Sequence, residues 1–430
     1  MYNLISLGGI FLFMVIAWLL SSNRRIINWR VIIWGILFQM LFALFLFLVP
    51  AGTKVFLAIN DIVIKILDSS AEGAKFVFGR LALPPGTVNE NGETSIGPIL
   101  AFQVFPTIIF FSSLMSILYF FKIMPLFIRA FAYVFTKLMR ISGAESLNAV
   151  SNIFVGIESV FTIKPYIKDM TRSELFTLLT VCMSTVASNV MALYVFSLKD
   201  YFPAIAGHLV SASFLSAPAA IIASKLMMPE TEKPKTLGIN VKPYYEKDEN
   251  LFMAIINGAN SAVKFIVGIV ALLIAVIGLV ALIDLFLGWV GGIAGSDITW
   301  SLKKFMGYLF YPFTLITGVP LEDAGVVSQI IGERLIVTEV AAYTDLADAI
   351  KQGILTNPRS IIITSYALCG FAHICSMAIF IGGISALVPS KASVLARIGI
   401  KSLIAATIAC LMTACIAGLF SGQSTVLFGG

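Results

Sequence analysis

Long apolar runs separated by short polar stretches dominate the chain. Eight of them, at about 4–22, 30–50, 98–121, 172–197, 203–228, 261–290, 357–388 and 400–420, approach or exceed the roughly 20 residues a helix needs to cross hydrocarbon. Between them the pattern changes in kind. Across 52–84, Val55, Ile59, Val63, Ile66 and Leu67 recur at helical spacing beside Lys54, Asp61, Lys65 and Asp68, which predicts a helix lying in the membrane interface. Residues 84–97 are rich in turn formers and read as a polar loop. Lys122, Arg129, Lys137 and Arg140 alternate with apolar residues over 122–142, predicting a second surface helix. The segment 145–165 is too short and too polar to face lipid, so at membrane depth it must be buried in protein. Residues 291–335 resemble it, with Gly, Pro and acids between short apolar runs, and 229–250 form the most polar loop.

Composition turns this pattern into a class. Of 430 residues, 59% are hydrophobic and 12% charged, against roughly 25% charged in a soluble domain. The net charge of +6 comes from single Lys and Arg residues at the ends of apolar runs, which excludes a nucleic-acid-binding face. Cys182, Cys369, Cys375, Cys410 and Cys415 all fall inside apolar segments without a CxxC pair and read as small buried residues. The first run lacks a basic leader and a small-residue cleavage site, so it is expected to be a retained span. The fold class is therefore an all-α polytopic membrane protein.

Charge also gives an orientation. Arg24, Arg25, Arg30 and the basic groups around 122–142, 225–242 and 391–401 fall on one side, and Glu90 and Glu93 on the other. With both termini outside, every loop obeys the positive-inside rule. The second part of the chain then repeats a plan. Residues 143–228 run from a short polar hairpin through Glu158, a span interrupted at Ser184, Thr185, Ser188 and Asn189, and a further span. Residues 312–430 run from a segment with Pro312, Gly318 and Pro320 through Glu339, a span interrupted at His373 and Ser376, and a last span. The first hairpin would enter from the cytoplasm and the second from outside, the pattern of an inverted repeat with its sites near the midplane. This divides the chain into N-terminal scaffold 1–142, first hairpin repeat 143–228, cytoplasmic loop 229–260, scaffold span and external loop 261–311, and second hairpin repeat 312–430.

Two acids carry the sharpest chemistry. A carboxylate at membrane depth costs about 2.5 kcal/mol or more unless it is paired or hydrated. Glu158 and Glu339 are therefore candidate acceptors for the hydroxyl or N–H groups of a polar solute, the alternative being a structural ion pair with Lys164 or Arg334. Asn152 with Val155, and Ser184 with Thr185, suggest a hard-cation site, because a helix that ends inside the membrane frees carbonyl oxygens. His373 has Ser376 one helical turn away and offers a nitrogen to a sugar hydroxyl; His208 is given no role. There is no P-loop, GxSxG or HExxH, so nothing points to an enzyme.

Several stretches carry a resemblance. QVFPTIIFFSSLMSILY from Gln103, NIFVG from Asn152, Lys164-Pro165-Tyr166, TRSEL from Thr171, ALCGFA from Ala367, RIGI from Arg397 and IAGLF from Ile416 closely resemble the concentrative nucleoside transporter family, over about residues 30–420. The resemblance implies eight spans, two opposed re-entrant hairpins, an interfacial helix, a homotrimer and cation-driven nucleoside uptake. It also implies residue roles. Gly156, Ile157 and Glu158 stand where the family's hairpin tip reads Gly-Gln-Thr/Ser-Glu, one residue shorter and without the glutamine, with Glu158 on the nucleobase side. Thr338-Glu339-Val340 stands where family members usually have Asn-Glu-Phe, and Glu339 matches the ribose-binding acid. His373 replaces a ribose-contacting asparagine, while Ser376 matches. Asn152, Val155 (carbonyl), Thr185 and Val186 (carbonyl) match the sodium ligands. The departures all fall on the substrate, which implies a shifted preference, toward a modified nucleoside or a narrower base range. The expected protein is a sodium-coupled nucleoside symporter of a bacterial inner membrane, with sodium as coupling ion and no organic cofactor. The competing expectations are proton coupling, with a modified nucleoside such as pseudouridine as the substrate, and a non-transporting nucleoside sensor.

Overall fold

The structure, a computed structural model, describes residues 1–84, 87–88, 92–97, 99–156, 159–186, 188–245, 248–293 and 300–421, with 188 and 189 described by their backbone alone. Apart from two isolated bridges, Val88 to Thr94 and Ser142 to Leu237, the regular structure of these residues is helical. The N-terminal part holds α1 (Tyr2–Leu19), α2 (Trp29–Leu48), α3 (Pro50–Phe78), α4 (Leu100–Gln103), α5 (Phe105–Phe120) and α6 (Ile123–Met139). Then follow α7 (Gly143–Val155), α8 (Ser159–Thr162), α9 (Lys164–Ile167), α10 (Arg172–Ser184), α11 (Ser188–Leu198), α12 (Ile205–Met227) and α13 (Leu251–Ile293). The C-terminal part holds α14 (Leu302–Thr317), α15 (Leu321–Ile336), α16 (Glu339–Lys351), α17 (Pro358–Leu368), α18 (Ile374–Leu387) and α19 (Ala392–Phe420).

Local chemistry sets these boundaries. Capping boxes start α7 (Ser142 with Glu145) and α10 (Thr171 with Glu174), each satisfying amides that no helical carbonyl reaches. Asn357 caps α17, whose first residue is Pro358. Six helices among the described residues are long and apolar enough to cross a membrane: Tyr2–Leu19, Trp29–Leu48, Leu100–Phe120, Ile205–Met227, Leu251–Ile293 and the helical run Pro389–Phe420. The other two expected spans are broken, α10 from α11 and α17 from α18.

Those broken helices form the centre. α12 and α19 pack against each other, α10 and α17 both pack on α19, and α7 lies against α10. The two breaks meet at Gly370, where a Cβ would come within 2.6 Å of Cys410 Sγ and 2.8 Å of the Ser184 backbone. Gly370→Ala must therefore push apart two helix ends in a close-packed interior. The expected result is a loss of roughly 1–3 kcal/mol, read as a lower melting temperature of the purified protein.

Several expected boundaries move. α13 begins at Leu251, not 261, because Asn257, Asn260 and Ser261 interrupt its apolar pattern without ending the helix. The 229–260 loop is shorter by the same stretch. The boundary at 312 falls inside α14, which contains Pro312; Gly318 (φ +89°) and Pro320 mark the α14–α15 junction instead. The tight turn of the second hairpin lies at Val337-Thr338, between α15 and α16. In α3 the buried stripe runs Phe56, Asn60, Val63, Leu67, and Val55 is exposed. The amphipathic stripe of α3 thus starts one residue later than expected.

Candidate substrate and ion sites

Glu339 is the first residue of α16, at the helix end whose free amides favour a negative charge. Thr338 caps that end, its Oγ1 accepting from the Ala341 amide at 3.4 Å. The Glu339 side chain is buried yet opens into a cavity of about 500 Å³. Tyr194 Oη donates to Glu339 Oε1 at 2.8 Å, and the Tyr194 ring stacks on Tyr343 with centroids 4.4 Å apart. His373 Nε2 lies 2.8 Å from Glu339 Oε2. The expected ion partner Arg334 is not there, and Lys164 lies with its Nζ 5.8 Å from the Tyr244 ring.

His373 does not sit one turn from Ser376 along a continuous helix. It is the cap residue where α18 starts after the break, and its Nδ1 accepts from the Ser376 amide at 3.2 Å. An accepting Nδ1 assigns the ring proton to Nε2, which donates toward Glu339. Ser376 Oγ donates to the His373 carbonyl at 2.8 Å and lies close to that of Phe371. The His373 and Ser376 donors are thus already committed. What remains toward the cavity is acceptor capacity on the Glu339 carboxylate and the Ser376 hydroxyl. The other walls, including Val190, Phe371, Phe380 and the α13 face through Phe265 and Ile269, are mostly apolar or aromatic, and Lys264 of α13 adds one charged side chain to the lining. A mostly apolar cavity with one buried acceptor cluster suits a flat ring system that carries hydroxyl donors.

A second cluster lies at the break between α10 and α11. Asn152 Nδ2 donates to the Val181 carbonyl at 2.9 Å and lies against Thr185 Oγ1. Thr185 is extended (φ −111°, ψ 155°) and its hydroxyl donates to the Val181 carbonyl at 3.0 Å. Ser159 Oγ reaches Asn148 Oδ1 at 3.2 Å and Asn152 Oδ1 at 3.4 Å. The Val186 carbonyl accepts from Ser213 Oγ at 3.4 Å. Val155 ends α7, and Gly156 follows at φ +70°, a conformation that favours glycine at this turn. All of these groups are buried and every candidate ligand is a hard oxygen, the donor set a small alkali cation needs.

The sequence candidates thus separate into two sites. Thr338, Glu339, His373 and Ser376 line one cavity, and Asn152, Thr185 and Val186 meet at the first break beside Val155 and Gly156. Ile157 and Glu158 lie outside the described residues. Tyr194 and Ser159 complete the two clusters and were not among the candidates. A hydroxyl in the apolar run after the first break, and the polar content of 145–165, are the only traces they leave in the sequence.

Comparison with known proteins gives the family. The family profiles described as Na+ dependent nucleoside transporter N-terminus and C-terminus match residues 8–81 and 208–418, and one described as nucleoside recognition matches 101–201. The nucleoside permease NupC of Helicobacter pylori is 36% identical over 98% of both chains. The chain belongs to the concentrative nucleoside transporter family. Sodium/nucleoside cotransporter 1 of Rattus norvegicus is 33% identical over 97% of this chain and 64% of its own length. The solved structure of CNTnw in an inward-facing substrate-bound state superposes with a TM-score of 0.87, at 33% identity over 99% of both chains. The chain is thus a membrane transporter for nucleosides and not an enzyme.

The Tyr194 hydroxyl holds the buried Glu339 carboxylate at the cavity wall. Tyr194→Phe keeps the stacked ring and removes one bond to a charged acceptor, a loss of about 1.5–3 kcal/mol. Nucleoside KM is expected to rise roughly 10-fold or more, with transport otherwise intact, in a concentration series of initial uptake rates.

Proposed function

We propose that this transporter is a sodium–nucleoside symporter that imports its substrate across the inner membrane of a bacterium by alternating access. The observation that carries the reading is the buried Glu339 carboxylate, held between Tyr194 and His373 and opening into a largely apolar cavity. A ribose would donate its hydroxyls to Glu339 and Ser376, and the base would lie against Phe371 and reach toward Gly156, Ile157 and Glu158. Sodium, carried with the nucleoside, would be held by Asn152, Thr185 and the carbonyls of Val155 and Val186. Its binding would order the tip of the first hairpin beside the base subsite.

The eight spans of this reading are the six long helices and the two broken ones, with both termini outside and the hairpins entering from opposite faces. The scaffold helix α13 presents apolar residues such as Val267, Ile274 and Leu282 outward, which supports a homotrimer embedded in lipid. His373 in place of an amide leaves a single ring donor already engaged by Glu339, and the shortened tip lacks a glutamine. Both reduce the ways a substrate can be bonded, so a narrow preference is expected.

Uptake of a panel of labelled nucleosides, modified ones included, into proteoliposomes with an inward sodium gradient tests this. Accumulation of one class is the expected result. Uptake that follows a proton gradient and ignores sodium would overturn the ion assignment, and no uptake of any nucleoside would overturn the reading as a whole.

A further inference from the structure

Lys264 is a charge that the transport reading leaves without a task. It lies inside the apolar helix α13, between Val263 and Phe265. A lysine within an apolar span is expensive unless it pairs or faces water. No ion pair of Lys264 is found among the described residues. It opens instead onto two cavities that meet at it. One is the Glu339 cavity, and the other, also about 500 Å³, continues along α13 to Asn257.

The second cavity is basic. Besides Lys264 its walls carry Lys122, between α5 and α6, and Lys164, the first residue of α9. Among the described residues Asp248 is the one acid in this lining, and its Oδ1 already accepts from Asn257 Nδ2 at 2.6 Å. Lys122 and the loop that supplies Tyr244 and Asp248 lie on the side that the charge distribution assigns to the cytoplasm.

The lining limits what the cavity takes. Tyr119, Phe161 and Tyr244 offer rings to a planar base, and Ser112, Asn257 and Ser261 offer polar atoms to a sugar. A neutral nucleoside gains little from lysines. A nucleoside that carries a phosphate forms charge-assisted bonds with them. Deeper in, the Glu339 carboxylate and the apolar walls repel a phosphate dianion, so such a ligand stops at Lys264 and is not carried. Its position also obstructs transport. Val155 and Thr162 of the first hairpin form one wall, and Ser112 of α5 with Gly258 of α13 form another, so an occupant ties the hairpin to the scaffold.

We propose that this cavity is an inhibitory site for nucleoside 5′-monophosphates on the cytoplasmic side, with Lys122, Lys164 and Lys264 around the phosphate and the aromatic rings around the base. Phosphorylated nucleoside inside the cell then slows further uptake. This rests on the transport direction proposed above and adds the ligand and the residues of a second site. An anionic lipid headgroup presents the same phosphate, so the test separates the two sources.

The purified protein in a non-ionic detergent is titrated in a calorimeter with uridine and adenosine 5′-monophosphate, inorganic phosphate and short-chain phosphatidylglycerol. At least one nucleotide should bind more tightly than the other two probes. Lys122→Gln and, independently, Lys264→Gln should each weaken it about five-fold, the scale of one exposed ion pair. Glu339→Gln, which disables the substrate site, should leave nucleotide binding intact, so failure of the symport reading and failure of this site are distinguishable. Right-side-out membrane vesicles loaded with the phosphonate analogue of the bound nucleotide should then take up nucleoside several-fold more slowly, through a lower maximal rate. Lys122→Gln should relieve that inhibition while its uninhibited uptake stays at the wild-type level. Absence of nucleotide binding, equal binding of inorganic phosphate, or lysine-dependent binding of phosphatidylglycerol alone would overturn the proposal. So would nucleotide binding that both lysine variants leave unchanged, or that Glu339→Gln abolishes.

Discussion

Glu339→Gln is expected to lower nucleoside uptake by at least about 100-fold while the protein still folds and inserts. A hydrogen bond to a buried charged acceptor contributes about 1.5–3 kcal/mol, and the carboxylate has capacity for two ribose hydroxyls beyond its hydrogen bond to Tyr194 and its close contact with His373. Losing one such bond outright and the charge behind the other amounts to roughly 3 kcal/mol or more. The amide keeps shape and one acceptor oxygen, so the change isolates charge from packing. A deoxyribonucleoside separates the direct role from an indirect one. In the wild type the deoxy analogue should bind far more weakly than its parent, because a site built for a hydroxyl rejects the compound lacking it. In Glu339→Gln the gap between the two should shrink. Uptake within about two-fold of wild type would show that Glu339 only steadies His373 and Tyr194.

Asn152→Ala is expected to erase the effect of sodium on nucleoside binding. Sodium and nucleoside must favour each other's binding by roughly 1–3 kcal/mol, or about 5–150-fold in affinity, for a gradient of one to drive the other. Asn152 sits between the end of α7 and the break after α10, touching Thr185 and the Val181 carbonyl. Without its amide the oxygen cluster loses both the proposed ligand and the strut that spaces the others. Nucleoside Kd, measured by calorimetry with and without sodium, should then become equal, near the sodium-free value of the wild type. Thr185→Val, which removes only the hydroxyl, should move it in the same direction. A sodium-dependent Kd surviving in both variants would place the ion elsewhere.

Much of this was legible before any coordinates. Long apolar runs gave the spanning helices because the bilayer admits few alternatives. The polar residues that interrupt 172–197 and 357–388 marked the real helix breaks, since a hydroxyl or imidazole in a lipid-length run must be buried in protein. Boundaries were harder. α13 starts ten residues before its expected apolar segment and ends three after it, and nothing in hydropathy ends a helix where a membrane does. The second hairpin was expected around Pro312, Gly318 and Pro320, but its tight turn carries none of these signals and is made by Val337-Thr338, with Thr338 as cap. The candidate sites followed a similar division. Glu339, His373, Asn152 and Thr185 stand out by residue type, while Tyr194 and Ser159 gain meaning only when α11 meets α16 and α8 meets α7. Arg334 was visible as a charge and was offered as a partner for an acid. Its partner, the Ala367 carbonyl, could come only from the packing of α15 on α17.

The most direct test of the account loads proteoliposomes with the same labelled nucleoside concentration inside and outside, then imposes an inward sodium gradient with the membrane potential clamped. Net accumulation against the equal starting concentrations, abolished by a sodium ionophore and absent in Glu339→Gln, is the predicted result. Equilibrium maintained under the sodium gradient, by protein that binds the same nucleoside, would contradict it.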